Sequence, residues 1–416
     1  MFKLNKIIRM KSKITVLLLC FAIAKVHAQH SLTMAESIQL ALKNNLQVKA
    51  DEYVVQSYQQ LQKTHSEIGK TSVTWMHGQY NSLNKDNNFT LAQTIPFPTV
   101  IAQQVKLGVA QTEGARWSLS VTKNELVYQV SSLYQQLAYL ESLHQLLLSQ
   151  DSLYSGFVKA SALRYKTGES NLLEKTSAET QMLEIKNQLN QNEASIHIYN
   201  TQLQTLINTT DSITITDQLR RLSLPDGELS INANPILLLS KQQVVINKQN
   251  KKVEYGRFLP DITVGYFNQS LTGFQRINND EVYFDRSKRF SGFQFGVAIP
   301  LWFVPQQGKA KAAYFNEMAS QKKYEYEQVS LNNSLIQTQQ ELAKNKADLD
   351  YYERSALINA SLILKQAQRA FQSGEIGYLE YLLAVKNAHT IRASHLASLN
   401  QYNQSIIRIQ YFTGAN

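Results

Sequence analysis

The sequence predicts a mainly α-helical chain with a membrane β-barrel part, laid out as two tandem copies of one unit: a helix, two strands and a long helical hairpin. Three observations carry this. Landmarks recur at a nearly fixed offset: Ile95-Pro96 and Ile299-Pro300 close alternating runs 204 residues apart, and Gly168 and Gly374 are 206 apart. Segments of about ten residues alternate apolar with small or polar side chains, as a strand crossing a bilayer would. Two stretches, 98–163 and 306–370, carry neither alternation nor an internal proline beyond Pro98, and read as very long helices.

Residues 1–28 read as a secretory signal. Lys3, Lys6, Arg9, Lys11 and Lys13 precede the apolar run Ile14 to Ala24, and Val26-His27-Ala28 supplies the small-residue cleavage site. That run is too short for a permanent span, and no later segment reaches about 18 apolar residues, so no helical membrane anchor is expected. Cys20, the sole cysteine, follows three leucines inside the signal, where lipidation is the disfavoured reading. The mature chain then has no thiol chemistry. Removing the six basic residues of the signal lowers the net charge from +10 to about +4, and no basic stripe interleaved with aromatics appears, so a nucleic-acid partner is set aside.

The first copy is expected at 29–208. Thr33 and Glu36 form a capping box that opens a helix running toward Gly69. Strands follow at about 72–81 and 88–96, with Phe89, Leu91 and Ile95 on one face and Thr90 and Thr94 on the other. Taken alone, they could equally be a half-buried hairpin of a soluble sheet. The long helix then carries Leu126, Val130, Leu133, Leu137, Leu140 and Leu147 at the spacing of a coiled-coil seam. At about 1.5 Å per residue it would extend about 100 Å. It reverses at a tip, about 164–171, and returns from Asn171 to Ile207.

Residues 209–230 are a linker or equatorial belt, in which DSITIT is a possible short strand and Pro225-Asp226-Gly227 a turn. The second copy, 231–416, opens at Asn234-Pro235 and its helix stops before Pro260. Strands are expected at about 261–270 and 290–300, joined by the polar connector LTGFQRINNDEVYFDRSKR. The long helix reverses at a tip, about 370–377, and returns from Ile376 to Phe412. Pro96, Pro260 and Pro300 mark the junctions between barrel and helix. Four strands cannot close a barrel, and open edges cannot face lipid, so several chains must combine. Three copies give twelve strands, enough to leave a lumen.

At this point the phrases LTMAESIQLALKNN, LPDITVGYFNQ and IPLWFVPQQGKAKAA, the element order and the two tips resemble the TolC family of outer-membrane efflux proteins over essentially the whole mature chain. Gly308 and the small residues after it are most similar to the CusC/CzcC heavy-metal efflux branch. The resemblance implies a homotrimeric duct: a twelve-stranded barrel in outer-membrane lipid continued by a periplasmic helical tunnel. It also implies docking to a periplasmic adaptor and to an inner-membrane resistance-nodulation-division pump, with no cofactor. The family's tip pattern, aromatic-x-x-Gly with an acid six residues on, falls on Tyr165, Gly168 and Glu174, with Arg164 ahead, and on Phe371, Gly374 and Glu380. By resemblance the tips dock the adaptor, and Glu380, with Glu174 beside it, is the candidate acidic ring at the periplasmic entrance. Phe371, Ile376 and Leu383 depart from the prototype's tyrosine, arginine and second acid, which implies a different or weaker closure.

The bland readings stand beside these. An acid in the first turn of a helix is favoured by the helix dipole, and a glycine past a helix end is an ordinary terminator. The mature histidines, His30, His65, His77, His144, His197, His389 and His395, include no H-x-x-x-H, so no metal site is expected. No G-x-S-x-G, P-loop or G-x-G-x-x-G is present, and no enzyme is expected. A duct for drugs or secreted proteins remains as an alternative. A periplasmic adaptor, with one hairpin instead of two, fits less well.

Overall fold

The computed structural model describes residues 30–79, 83–224 and 227–414. The expected signal with Cys20 and the turn at Pro225-Asp226 lie outside the described residues. In chain order the elements are β1 (His30–Leu32), α1 (Met34–Asn44), α2 (Leu46–Thr64), β2 (Ser72–Gly78), β3 (Asp86–Ile95), α3 (Pro98–Lys166), α4 (Leu172–Ile207) and β4 (Ile213–Ile215). Then come α5 (Pro235–Gly256), β5 (Asp261–Ser270), β6 (Gly273–Ile277), β7 (Asp280–Phe284), β8 (Arg289–Ala298), α6 (Phe303–Tyr351), α7 (Leu357–Ser373) and α8 (Tyr378–Thr413). Among the described residues no helix is long and apolar enough to cross a membrane.

The chain divides into two compact units. One takes in the residues up to Leu46, Glu125–Asp226 and Gln337–Gln410. It is the helical unit, and its core is the expected seam with one substitution: Leu126, Val130, Leu137, Leu140 and Leu147 are buried, but Tyr134 displaces Leu133 as the inward residue. The Tyr134 hydroxyl is the reason. It donates to the Leu32 carbonyl at 2.9 Å and accepts from the Asp217 N–H at 3.1 Å, while Asp217 accepts from Met34 N–H at 2.9 Å. These bonds lock β1 beside β4, which pair in parallel from His30↔Ile213 to Leu32↔Ile215.

The belt continues along this unit. Leu219 and Leu222 pack on Leu349, Leu399, Tyr402 and Ile406. The buried Asn403 side chain accepts from Leu222 N–H and donates to the Arg220 carbonyl and to Gln135. Arg221 reaches Asp350 and Glu353, each at 3.1 Å, and lies over the Tyr402 ring. Glu353 belongs to a π-helical turn, Tyr352–Ala356, that breaks the long helix expected over 306–370 into α6 and α7. Neither glycine nor proline causes that break.

The first expected helix is also broken. The capping box forms, with Glu36 N–H donating to Thr33 Oγ1 and Thr33 N–H to the Glu36 carboxylate. Asn45 then leaves the helical path and donates its side-chain amide to the Leu206 carbonyl, splitting the run into α1 and α2, and α2 stops at Thr64 short of Gly69.

The other unit comprises Gln47–Asn124, Gly227–Ile336 and the residues from Tyr411. Its centre is an antiparallel sheet of order β2-β3-β5-β8. The strand at 261–270 has the expected limits. The others shift: 88–96 becomes Asp86–Ile95 and 290–300 becomes Arg289–Ala298, both ending before Pro96 and Pro300, which have no N–H to give the ladder. The run expected over 72–81 pairs only from Ser72 to Gly78. The polar connector 271–289 is not a plain loop. It holds a second hairpin, β6 paired with β7, turned by Asn278 and Asn279 at φ 50° and 73°. Two successive positive φ values make the primed turn whose twist suits a tight hairpin.

Candidate functional site

In the helical unit the two tips sit at the ends of α3 and α7. Gly168 has φ +80° and Gly374 has φ +78°, so both reverse the chain through the left-handed region that glycine enters without strain. At the first tip the Arg164 carbonyl accepts from Glu169 N–H at 2.8 Å, and its guanidinium donates to Glu174 at 3.0 Å. Asn171 caps α4 by accepting from Glu174 N–H. One arginine therefore ties both sides of the turn, and Glu174 is an ion-paired, mostly covered carboxylate. Tyr165 stays exposed under the Lys175 ammonium.

At the second tip Glu380 is exposed, and its carboxylate accepts from the Gly377 N–H at 2.9 Å, which fixes it to the start of α8. The two expected acids are thus held differently, one by a cation and one by the backbone. Phe371 stacks on Tyr381 with centroids 4.8 Å apart and planes 6° from parallel. Tyr381 and Tyr378 both meet Phe157 edge-on, and Phe157 meets Tyr154. The Tyr378 hydroxyl donates to the Phe157 carbonyl at 2.8 Å in the buried centre of this cluster. Burial is the main reason that its ionisation is pushed far above the ordinary tyrosine range.

Sequence reasoning found Phe371 and missed the other four rings. Their signal was local: Tyr154 with Phe157 and Tyr378 with Tyr381 are i,i+3 pairs that put two rings on one helix face. Beside this cluster Leu147, Gln150, Ile185, Lys386 and His389 line a cavity of about 600 Å³. His389 is buried, its Nδ1 makes no hydrogen bond, and burial, aided by the Arg392 charge, lowers its pKa to about 4.

In the sheet unit the register sorts side chains into two faces. Trp75 stands opposite Phe89, and Leu91 opposite Tyr266, which pairs with Phe293. With Val264, Phe295 and Val297 they form one apolar, largely exposed face. The other, more polar face carries Thr74, Asn88, Thr90, Thr94, Thr263 and Gln294, with Met76 and Phe267 among them. Pro96, Pro260 and Pro300 each lie between a strand and a helix: Ile95 and Pro98, Gly256 and Asp261, Ala298 and Phe303. Among the described residues no group of three or more His, Cys, Asp or Glu is placed to hold a metal ion.

Long hairpins with glycine tips in one unit, and an apolar-faced antiparallel sheet in the other, are the fold of the TolC-family outer-membrane channels. The chain superimposes on CusC, in a structure describing transmembrane channel formation, with TM-score 0.75 at 15% identity over 91% of each chain. It matches the outer membrane protein VceC of Vibrio cholerae with TM-score 0.75 at 14% identity, over 92% of this chain and 96% of that one. The open-state MtrE outer membrane channel of Neisseria gonorrhoeae gives TM-score 0.71 at 13% identity, over 92% and 88%. In sequence, 196 residues are 25% identical to the cobalt-zinc-cadmium resistance protein CzcC of Cupriavidus metallidurans, spanning 46% of this chain and 44% of that protein's length. No family model matches the chain.

Proposed function

We propose that this chain is the outer-membrane channel of a tripartite efflux system, a passive duct with no chemistry of its own. The observation that carries it is the four-stranded sheet with one apolar face and two open edges, β2 and β8. Unpaired edges are too costly in lipid, so three copies close a twelve-stranded barrel, apolar face outward and polar face lining the lumen. Each chain is then two tandem copies, 29–208 and 231–416, joined by the belt 209–230. The fold shared with outer-membrane channels supports this reading. In the assembly the tips at Arg164, Tyr165, Gly168, Phe371 and Gly374 meet a periplasmic adaptor, which links the duct to a resistance-nodulation-division pump.

The cargo we propose is heavy-metal cations, supported by the likeness to CzcC. A strain lacking the gene is expected to become sensitive to copper, silver, zinc, cobalt or cadmium while its tolerance of common drugs is unchanged. Sensitivity to drugs alone would assign the duct to drug export instead.

Glu380, with Glu174 as its neighbour, is the proposed acidic ring at the entrance. Glu380→Gln keeps an oxygen for the Gly377 N–H and removes the charge. In bilayers it is expected to lower cation preference and weaken block by divalent ions, and unchanged selectivity would leave Glu380 as a helix-start residue only.

A further inference from the structure

We propose that the β6–β7 hairpin is a strap across the outer mouth of the barrel, positioned by Asp86, and that it sets the size limit of what leaves. This rests on the barrel reading above, because an outer mouth exists only if the sheet closes. Within the sheet unit the helices attach at one end of the strands: α3 and α6 begin just past Ile95 and Ala298, and α2 and α5 end just before Ser72 and Asp261. The β2 and β3 ends at Gly78 and Asp86 and the connector 271–288 are therefore at the opposite end.

The register fixes the face over which the second connector leans. Asp86 pairs with Gly78 and is in phase with Asn88, on the polar face. Phe290 pairs with Gln269, on that same face. An inward face at the open end of a sheet should be wet, yet Asp86 is 0% and Asn88 9% exposed. The connector reaches Asp86. Asp86 Oδ1 accepts from the Thr272 N–H at 2.7 Å and from the Ser270 hydroxyl at 3.3 Å, while Asn84 donates to the Thr272 carbonyl at 3.1 Å. On the other leg Phe284 is buried against Phe290, with centroids 5.6 Å apart.

Gly273 makes the bend into β6 with φ +136°, and a Cβ there would lie 3.2 Å from the Asn84 amide. All of these anchors grip the base of the hairpin. Just beyond the base it exposes the paired Phe274 and Tyr283, and at its turn Ile277. A two-stranded hairpin is marginal unless something holds it, so these base contacts decide where the strap lies. Its position over the polar face places it in the path of any solute passing outward. Asp86 is a positioning residue: a carboxylate on the polar face that accepts from the Thr272 N–H at the base of the strap and from the Ser270 hydroxyl of β5.

The test uses the full-length trimer in planar bilayers, reading single-channel conductance and exclusion of neutral polyethylene glycols of graded size. Excising Phe274–Tyr283 and joining the ends with two glycines is expected to raise conductance severalfold and admit larger polymers. Asp86→Ala is expected to move both readouts the same way, whereas Asp86→Asn, which keeps an acceptor for the Thr272 N–H, stays near the native values. Adding Asn84→Cys with Thr272→Cys to the Asp86→Ala chain and oxidising the pair should restore the low conductance, and reduction should reverse it. Should Asp86→Ala fail to assemble, the excision still decides. Native conductance and native exclusion after excision overturn the strap. A native chain that forms no channel overturns the barrel reading itself.

Discussion

Tyr378→Ala is expected to unfasten the second tip from the first hairpin. Tyr378 is buried at the centre of five rings, and its hydroxyl is bonded to the Phe157 carbonyl from 221 residues away. Truncating a buried aromatic side chain costs about 3–5 kcal/mol, because transfer energy is lost and a cavity is left. The loss should be local in its effect, since Phe371 and Tyr381 stack on each other but reach Phe157 through Tyr378 and the edge of Tyr381. Tyr378→Phe keeps the rings and removes one hydrogen bond, so it should cost only about 1 kcal/mol. Hydrogen exchange over residues 154–161 and 371–381, with urea unfolding of both variants, checks this. Equal protection in the native protein and Tyr378→Ala would show that the rings do not hold the hairpins together.

The second large effect is on acid stability. His389 titrates near 4 in the folded chain, against 6.5 unperturbed, because its buried ring resists charging. The unfolded chain therefore binds the extra proton first as pH falls. The stability carried by the neutral ring is whole above about 6.5, is lost progressively toward 4, and by linkage totals about 3 kcal/mol. His395 shifts in the same direction, also by burial, with Glu353 opposing it. Urea unfolding at pH 7.5 and at pH 4.5 should show a steeper fall for the native chain than for His389→Gln. Parallel falls would mean that the His389 ring charges in the folded state without cost.

The strands of the sheet were legible in the sequence because a strand repeats its side chains every two residues, and Phe293, Phe295 and Val297 declare that period by themselves. The tips were legible because Gly168 and Gly374 occupy a backbone region that other residues avoid. What stayed hidden depends on meetings between distant segments. Phe157 and Tyr378 announce nothing of each other, and the π-helical turn at Tyr352–Ala356 is made where Arg221 arrives to pair with Glu353. The β6–β7 hairpin lay between these cases. Asn278-Asn279 flanked by alternating residues is a hairpin signal, but the charges of Arg276, Asp280, Glu281, Arg286 and Lys288 made the segment look like a solvated loop. Asp86, one acid near a turn, gave no hint that it would be buried.

The sheet that ends on β2 and β8 has a genetic consequence. If each edge is completed by the next copy, no chain can finish folding alone in lipid, and membrane insertion and assembly become a single event. A damaged edge is then not a private defect. In a cell making intact and damaged chains together, every ring that draws one damaged chain is spoiled, so a lesion in β2 or β8 should behave as dominant. A lesion confined to a tip would leave the ring closed and dilute out.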